Sequence, residues 1–321
     1  MDKLALRVTS SEQNPVADLL AAKLVIRSPS VVMPLQCEWF APHDYHLSIK
    51  RDDEIHPIIS GNKWRKLKYS LLYAQQQHTQ HIITFGGGFS NHLHALAYCC
   101  KQLNIKFTAI VRGDYRANPS PMLHDLITWH CDIQYVNKQQ YQLRNDPAYL
   151  TELQQRFPGA LIIPEGGSNT LALQGLAEII SELNEDYDYI LAPVASGGTL
   201  AGLIHASQHL PLKILGIAVL KGQDYLETLV SQLLPRSYSH WAICHDYHFG
   251  GYAKSPPELL QFCSEVYQQT HIATEPVYSG KLFYALRDLC HKRFFPAGSR
   301  ILLLHTGGLQ GARHNQSNLL I

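Results

Sequence analysis

Lys63 lies at the centre of the stretch Ser60-Gly61-Asn62-Lys63-Trp64-Arg65-Lys66-Leu67. Gly61 and Asn62 read as a turn, since both tolerate positive φ. Beyond them Trp64, Leu67, Leu71, Leu72 and Ala74 recur on one side of a helix. Lys63 therefore falls in a first helical turn, where the macrodipole disfavours a cation. That position, with partial burial, lowers an amine's pKa and suits it to attack a carbonyl. The plain alternative is a surface lysine beside Arg65, Lys66 and Lys68. Glycine turns elsewhere in the chain weigh against it.

Four such turns follow apolar strand-like runs. They are Gly86-Gly87-Gly88-Phe89-Ser90-Asn91-His92, Glu165-Gly166-Gly167-Ser168-Asn169, Ala195-Ser196-Gly197-Gly198-Thr199 and His305-Thr306-Gly307-Gly308. The third is the most specific. Successive N–H groups at a strand-to-helix turn, with the Ser196 and Thr199 hydroxyls, make a concave anion site. No G-K-[ST] follows and the full G-x-G-x-x-G pattern is missing, which favours a single phosphate monoester over a nucleotide. A phosphate nest, a nucleophilic lysine and an amide donor such as Asn91 together match pyridoxal phosphate, which carries a phosphate, an aldehyde, a phenolic oxygen and a ring nitrogen.

Elements able to hold these loops alternate along the chain. Extended segments are expected at Val31–Leu35, His46–Lys50, His81–Phe85, Lys106–Val111, Ile133–Val136, Leu161–Ile163, Tyr189–Val194, Lys213–Leu220 and Ile301–Leu304. Helices are expected from Lys63 to about His78, from Ser90 or Asn91 to Leu103, and over Pro121–His130. Others should cover Gln139–Arg156 (interrupted by Pro147), Thr170–Leu183, Gly198 to about His209, Pro256–Thr270 and Lys281–Arg293. Arg51-Asp52-Asp53-Glu54 reads as a charged corner. The alternation predicts an α/β fold with mostly parallel sheets, whose sites form at the carboxyl ends of the strands.

With 321 residues, 45% apolar and 17% charged, the chain is natural for two domains with large cores. A net charge of +1 gives no footprint for nucleic acid or an anionic membrane. No apolar run reaches membrane-spanning length, and Asp2, Lys3, Arg7 and Glu12 fit no targeting segment. Seven cysteines without a C-x-x-C pair suggest a reduced, cytoplasmic protein, and the scattered eighteen histidines suggest no metal.

Six motifs in order resemble the D-cysteine desulfhydrase/1-aminocyclopropane-1-carboxylate deaminase family. They are Lys50-Arg51-Asp52-Asp53, Gly61-Asn62-Lys63-x-Arg65-Lys66-Leu67, Ser90-Asn91-His92, Ser196-Gly197-Gly198-Thr199, Glu275-Pro276-Val277-Tyr278-Ser279-Gly280-Lys281 and His305-Thr306-Gly307-Gly308. The family comprises pyridoxal-phosphate enzymes of the tryptophan-synthase β-like fold (fold type II). The resemblance implies that Lys63 links to the cofactor and moves the substrate Cα proton. It implies that Asn91 bonds the phenolic oxygen, that Ala195 to Thr199 hold the phosphate, and that Thr306 or Ser279 meets the ring nitrogen. Ser90, Asn91 and His92 would face the substrate, with Tyr278 and, by a looser match, Tyr252. Phe89 and His94 depart from the family pattern, and Glu165 has no implied role. The implied architecture has a larger domain, residues 1–65 with 166–321, and a smaller one, 66–165, with the cofactor between them. The implied assembly is a homodimer. The leading activity is α,β-elimination from a small amino acid, D-cysteine first. Cyclopropane ring opening, racemisation and non-catalytic cofactor binding are the alternatives.

Overall fold

The computed structural model describes residues 15–40 and 44–315, so the reading of residues 1–14 as free of targeting signals lies outside it. Ten strands run in chain order: β1 (Val32–Pro34), β2 (His46–Lys50), β3 (His81–Gly87), β4 (Lys106–Arg112), β5 (Asp132–Val136), β6 (Leu161–Ile163), β7 (Tyr189–Val194), β8 (Lys213–Ala218), β9 (Trp241–Cys244) and β10 (Arg300–Leu304). They form two open sheets. The six-stranded sheet has the order β1-β2-β10-β7-β8-β9, and the four-stranded sheet the order β5-β4-β3-β6. All neighbours are parallel except β1 and β2.

The apolar runs take central places because helices cover both faces. In β10, Ile301 and Leu303 join one core with Leu191 and Ile217, while Leu302 and Leu304 join another with Ile190 and Ile214. In the smaller sheet Ile82, Ala109 and Val111 face one core, and Ile83, Phe85 and Ile110 the other. Strands buried on both sides lose the alternation that marks a half-exposed sheet and read as continuous apolar segments.

The helix Asn62–Gln76 is the joint between the sheets. It starts at Gly61, whose φ of +65° and contact with the Thr306 loop exclude any side chain; a Cβ there would lie 1.7 Å from the Thr306 carbonyl oxygen. It lies so close to the helix Thr170–Ser181 that a Cβ on Gly175 would come within 2.0 Å of the Arg65 carbonyl oxygen.

Arg65 is fully buried between these helices. Its guanidinium meets Asp52 at 3.0 Å and both carboxylate oxygens of Glu182, and Lys50 joins Glu182 at 2.7 Å. Burial works against the Arg65 charge, but Asp52 and Glu182 outweigh it and hold the pKa above its ordinary value. The expected charged corner at Arg51–Glu54 is therefore a 3-10 turn with Asp52 and Asp53 buried, serving internal cations rather than solvent.

Other differences are local. The strand expected to end at Phe85 continues through Gly87, and the helix expected from Lys281 begins at Ser279. Gln139–Arg156 divides into Lys138–Gln142, a 3-10 turn and Pro147–Arg156, with Asp146 capping the last. Three elements were not foreseen: the helices Pro15–Lys23 and Tyr225–Leu233 and the edge strand β9.

Replacing Arg65 with methionine leaves Asp52 and Glu182 buried without their bridge. The expected loss is about 3–5 kcal/mol of unfolding free energy, read from urea midpoints. Adding Asp52→Asn should cost less than the sum of the two single changes.

Candidate active site

Lys63 enters the cleft because the helix around it has no side-chain cap and instead docks on the loop after β10, with the Asn62 N–H donating to the Thr306 carbonyl at 3.3 Å. The Lys63 ammonium donates to Asn62 Oδ1, and Asn62 Nδ2 donates to Thr199 Oγ1 at 2.7 Å. Burial lowers the Lys63 pKa to about 8, partly opposed by the charge of Glu275. The helix-terminus argument had the direction right, but burial is the leading cause.

The loop Ala195–Thr199 turns at Gly197, φ +77°, into the helix Gly198–Ala206. Lys66 Nζ donates to Ser196 Oγ and to Ser168 Oγ, each at 3.2 Å, and the two hydroxyls lie 2.9 Å apart. A Cβ on Gly198 would come within 2.6 Å of Ser168 Oγ. Burial, then the charge of Lys63, lowers the Lys66 pKa to about 7. Among the described residues no carboxylate pairs with this ammonium. A buried cation, two hydroxyls and a glycine helix start with no anion of their own fit a phosphate group.

Lys66, Ser168 and Asn62 escaped the sequence reading. The signal for Lys66 was its spacing, since i and i+3 share a helix face with Lys63. Ser168 was signalled only by its place in the Glu165–Asn169 turn, because its partner is far along the chain.

Across the cleft, Ser90 caps the helix Asn91–Leu103, its Oγ accepting the Leu93 N–H at 3.2 Å, which leaves the hydroxyl proton available. Gln310 donates its side-chain amide to Asn91 Oδ1. This orients Asn91 with Nδ2, the donor atom, toward Gly308. The His92 ring turns inward: Nε2 meets Thr84 Oγ1 at 2.8 Å, and Thr84 donates its proton to the Ile163 carbonyl. His92 is thus a neutral Nε2–H tautomer, with burial and the two lysines lowering its pKa to about 3. His94 lies apart, bonded to Asp125 at 2.7 Å, and Phe89 stacks edge-on with Tyr115. Glu165 accepts from Tyr141 and Arg144, which ties its loop to the smaller sheet.

Tyr278 and Tyr252 do come together, with hydroxyls 3.1 Å apart. Burial, Tyr252 and the carboxylates of Glu275 and Glu165 raise the Tyr278 pKa, so it stays a proton donor. Ser279 and Thr306 are both buried in the turns beside it. No group of three metal-ligating side chains occurs among the described residues, and none of their helices is long and apolar enough to cross a membrane.

The family model described as "Pyridoxal-phosphate dependent enzyme" matches residues 34–307. The chain is 31% identical over 296 residues to a bifunctional D-cysteine desulfhydrase/1-aminocyclopropane-1-carboxylate deaminase of Arabidopsis thaliana, covering 84% of this chain and 74% of that one. It belongs to this pyridoxal-phosphate family. A D-cysteine desulfhydrase of Klebsiella pneumoniae is 30% identical over 291 residues, 81% of this chain and 86% of the relative. The solved structure of an ACC deaminase homologue superposes with a TM-score of 0.78 at 28% identity, covering 95% of this chain and 98% of the other. The architecture is fold type II, and pyridoxal phosphate is the family's cofactor.

The two lysines make the cofactor-free protein pH-sensitive. Between about pH 7 and 10 the unfolded chain holds lysine protons that the folded chain has shed, so stability rises with pH through that window. In Lys66→Met the rise should shrink to the part left by Lys63 and by Lys281, whose pKa burial also lowers to about 8. Denaturant midpoints at about pH 7 and about pH 9.5 measure it, and an unchanged slope would refute buried, depressed lysines.

Proposed function

We propose that the protein eliminates the β-substituent of a small amino acid, D-cysteine first, yielding pyruvate, sulfide and ammonia with uptake of water. The observation that carries this reading is that Ser279 and Thr306, which the resemblance puts at the ring nitrogen, are buried hydroxyls. In the family that the chain resembles, members that open the cyclopropane ring have a carboxylate and an apolar side chain in these places. Expelling a thiolate after Cα deprotonation asks little of the ring; a substrate with no Cα proton and no leaving group asks more.

Lys66, Ser168, Ser196 and the Gly198–Thr199 helix start would hold the cofactor phosphate, and Asn91 Nδ2 its phenolic oxygen. When bound, the cofactor supplies the electron sink that makes the Cα proton acidic. Lys63, near pKa 8 and tethered by Asn62, suits taking that proton at neutral to mildly basic pH. The helix start at Ser90 suits the substrate carboxylate, since its free N–H groups and dipole favour an anion. Tyr278, kept protonated and bonded to Tyr252, can donate toward the leaving group, and the backbone at Asn91 and His92 completes the substrate side.

We further infer that residues 1–65 with 166–321 form the larger domain and 66–165 the smaller, with the Asn62–Gln76 helix crossing the boundary. A cytoplasmic homodimer completes the reading.

Purified protein should be yellow and should release sulfide and pyruvate from D-cysteine much faster than from L-cysteine, and Lys63→Ala should lose both colour and turnover. Efficient 2-oxobutyrate formation from the cyclopropane amino acid, with no sulfide from D-cysteine, would overturn the assignment. Light scattering at assay concentration should give twice the chain mass; a 36.2 kDa species alone would reject the dimer.

A further inference from the structure

The motif at residues 275–281 ends on a lysine that none of these roles uses. Lys281 lies in the first turn of the helix Ser279–His291 and is fully buried. Its Nζ donates to three backbone carbonyls, those of Val219 and His248 at 3.0 Å and of Gly251 at 2.9 Å. An ammonium has three protons, so the three carbonyls engage all of them. Burial lowers its pKa to about 8 and the charge of Glu275 opposes the shift, which leaves the amine mostly protonated at neutral pH.

The three carbonyls belong to two separate pieces of chain. Val219 directly follows β8, at the carboxyl end of a central strand. His248 and Gly251 belong to the loop 248–254, which carries Tyr252. That loop has a shape its own residues disfavour. Phe249, Gly250, Gly251 and Ala253 all have positive φ, of +52°, +92°, +134° and +56°. For Phe249 and Ala253 this is a region that side chains resist, so the loop keeps its shape only while its surroundings impose it.

Those surroundings centre on Lys281. The Gly251 N–H donates to the His248 carbonyl at 3.0 Å, and the Lys254 N–H to the Gly251 carbonyl at 3.2 Å. Both turns thus close on carbonyls that the ammonium also holds. The Phe249 ring packs edge-on against Tyr284, three residues beyond Lys281 on the same helix face. At the tip, the Tyr252 hydroxyl lies 3.1 Å from that of Tyr278, while Tyr252, Ala253 and Lys254 are exposed. Carbonyl oxygens that converge on one point repel each other unless a cation sits between them. Such a convergence is how backbone oxygens replace the hydration shell of a monovalent ion.

We propose that Lys281 serves as a resident monovalent cation, a positioning residue that gathers the Val219, His248 and Gly251 carbonyls and so holds Tyr252 against Tyr278. What Tyr252 does in turnover rests on the function proposed above; the clamp itself does not. Removing the lysine side chain should leave an oxygen-lined gap suited to ammonium or potassium and too wide for sodium. Wild type, with the place already filled, should be indifferent to all three.

The test is hydrogen exchange, read by mass spectrometry, of the peptide covering residues 248–254 in the protein as purified, at equal concentrations of sodium, potassium or ammonium chloride. In sodium, Lys281→Ala should exchange there about tenfold faster than wild type or more. Potassium or ammonium should restore most of the protection. Lys281→Met fills the gap without a charge and should exchange fast in every salt, whereas a lysine that merely occupied space would be replaced well by methionine. Wild-type protection in Lys281→Met overturns the proposal, and so does fast exchange in Lys281→Ala that sodium slows as well as potassium does, or that no salt slows. If Lys281→Ala does not fold, Lys281→Met decides alone. Turnover of D-cysteine by the same samples should fall and recover in step with the loop. A wild type that releases no sulfide refutes the function proposed above and leaves the exchange data to judge the clamp.

Discussion

The cleft depends on how one buried guanidinium is neutralised. Arg65 can remain inside only if Asp52, from the turn after β2, and Glu182, from the end of the helix Thr170–Ser181, reach it together. An unpaired charge at that depth would cost several kcal/mol, so the three segments must meet as a unit. Meeting fixes the roll of the Asn62–Gln76 helix about its axis. With Arg65 turned toward its carboxylates, Lys63 and Lys66 are turned together toward the Ala195–Thr199 loop. The Lys63 amine is aimed by a residue that does not itself face the Ala195–Thr199 loop.

Charge in the cleft is graded along its length. Lys66 and the hydroxyls of Ser168 and Ser196 make one end ready for an anion, and Glu275 lies toward the other, where its charge acts on Lys63. Lys63 lies under both influences: burial drives its proton off and Glu275 draws it back. A ligand bearing a phosphate at one end and a basic nitrogen at the other would satisfy both ends at once. It would also relieve the depressed lysines, so binding and folding stability are linked.

Much of this was legible in the sequence. The runs at β6 and β7 had the right ends because they are continuous in apolar residues, β2 because Leu47 and Ile49 alternate with polar neighbours, and the four glycine loops lay where such strands must turn. The helix Tyr225–Leu233 was overlooked although Leu226, Leu229, Val230 and Leu233 recur on one face; it is only nine residues long. The edge strand β9 is four residues long and never fully covered. Arg65, Lys66 and Asp52 looked like solvated charges because sequence shows a charge but not its partner, and those partners lie far along the chain. The same limit hid the partners of Ser168, whose loop alone was legible.

The contact between Gly61 and the Thr306 carbonyl also has a meaning for synthesis on the ribosome. The segment carrying Lys63 emerges well before the loop it docks on, which lies far along the chain. At about 5–20 residues per second, the first must wait on the order of tens of seconds for the second. Throughout that wait β2 lacks its β10 neighbour and the helix start lacks its seat. A nascent chain thus cannot acquire a finished cleft piecemeal, and translation that stops before Thr306 yields a product whose Asn62–Gln76 helix has no seat.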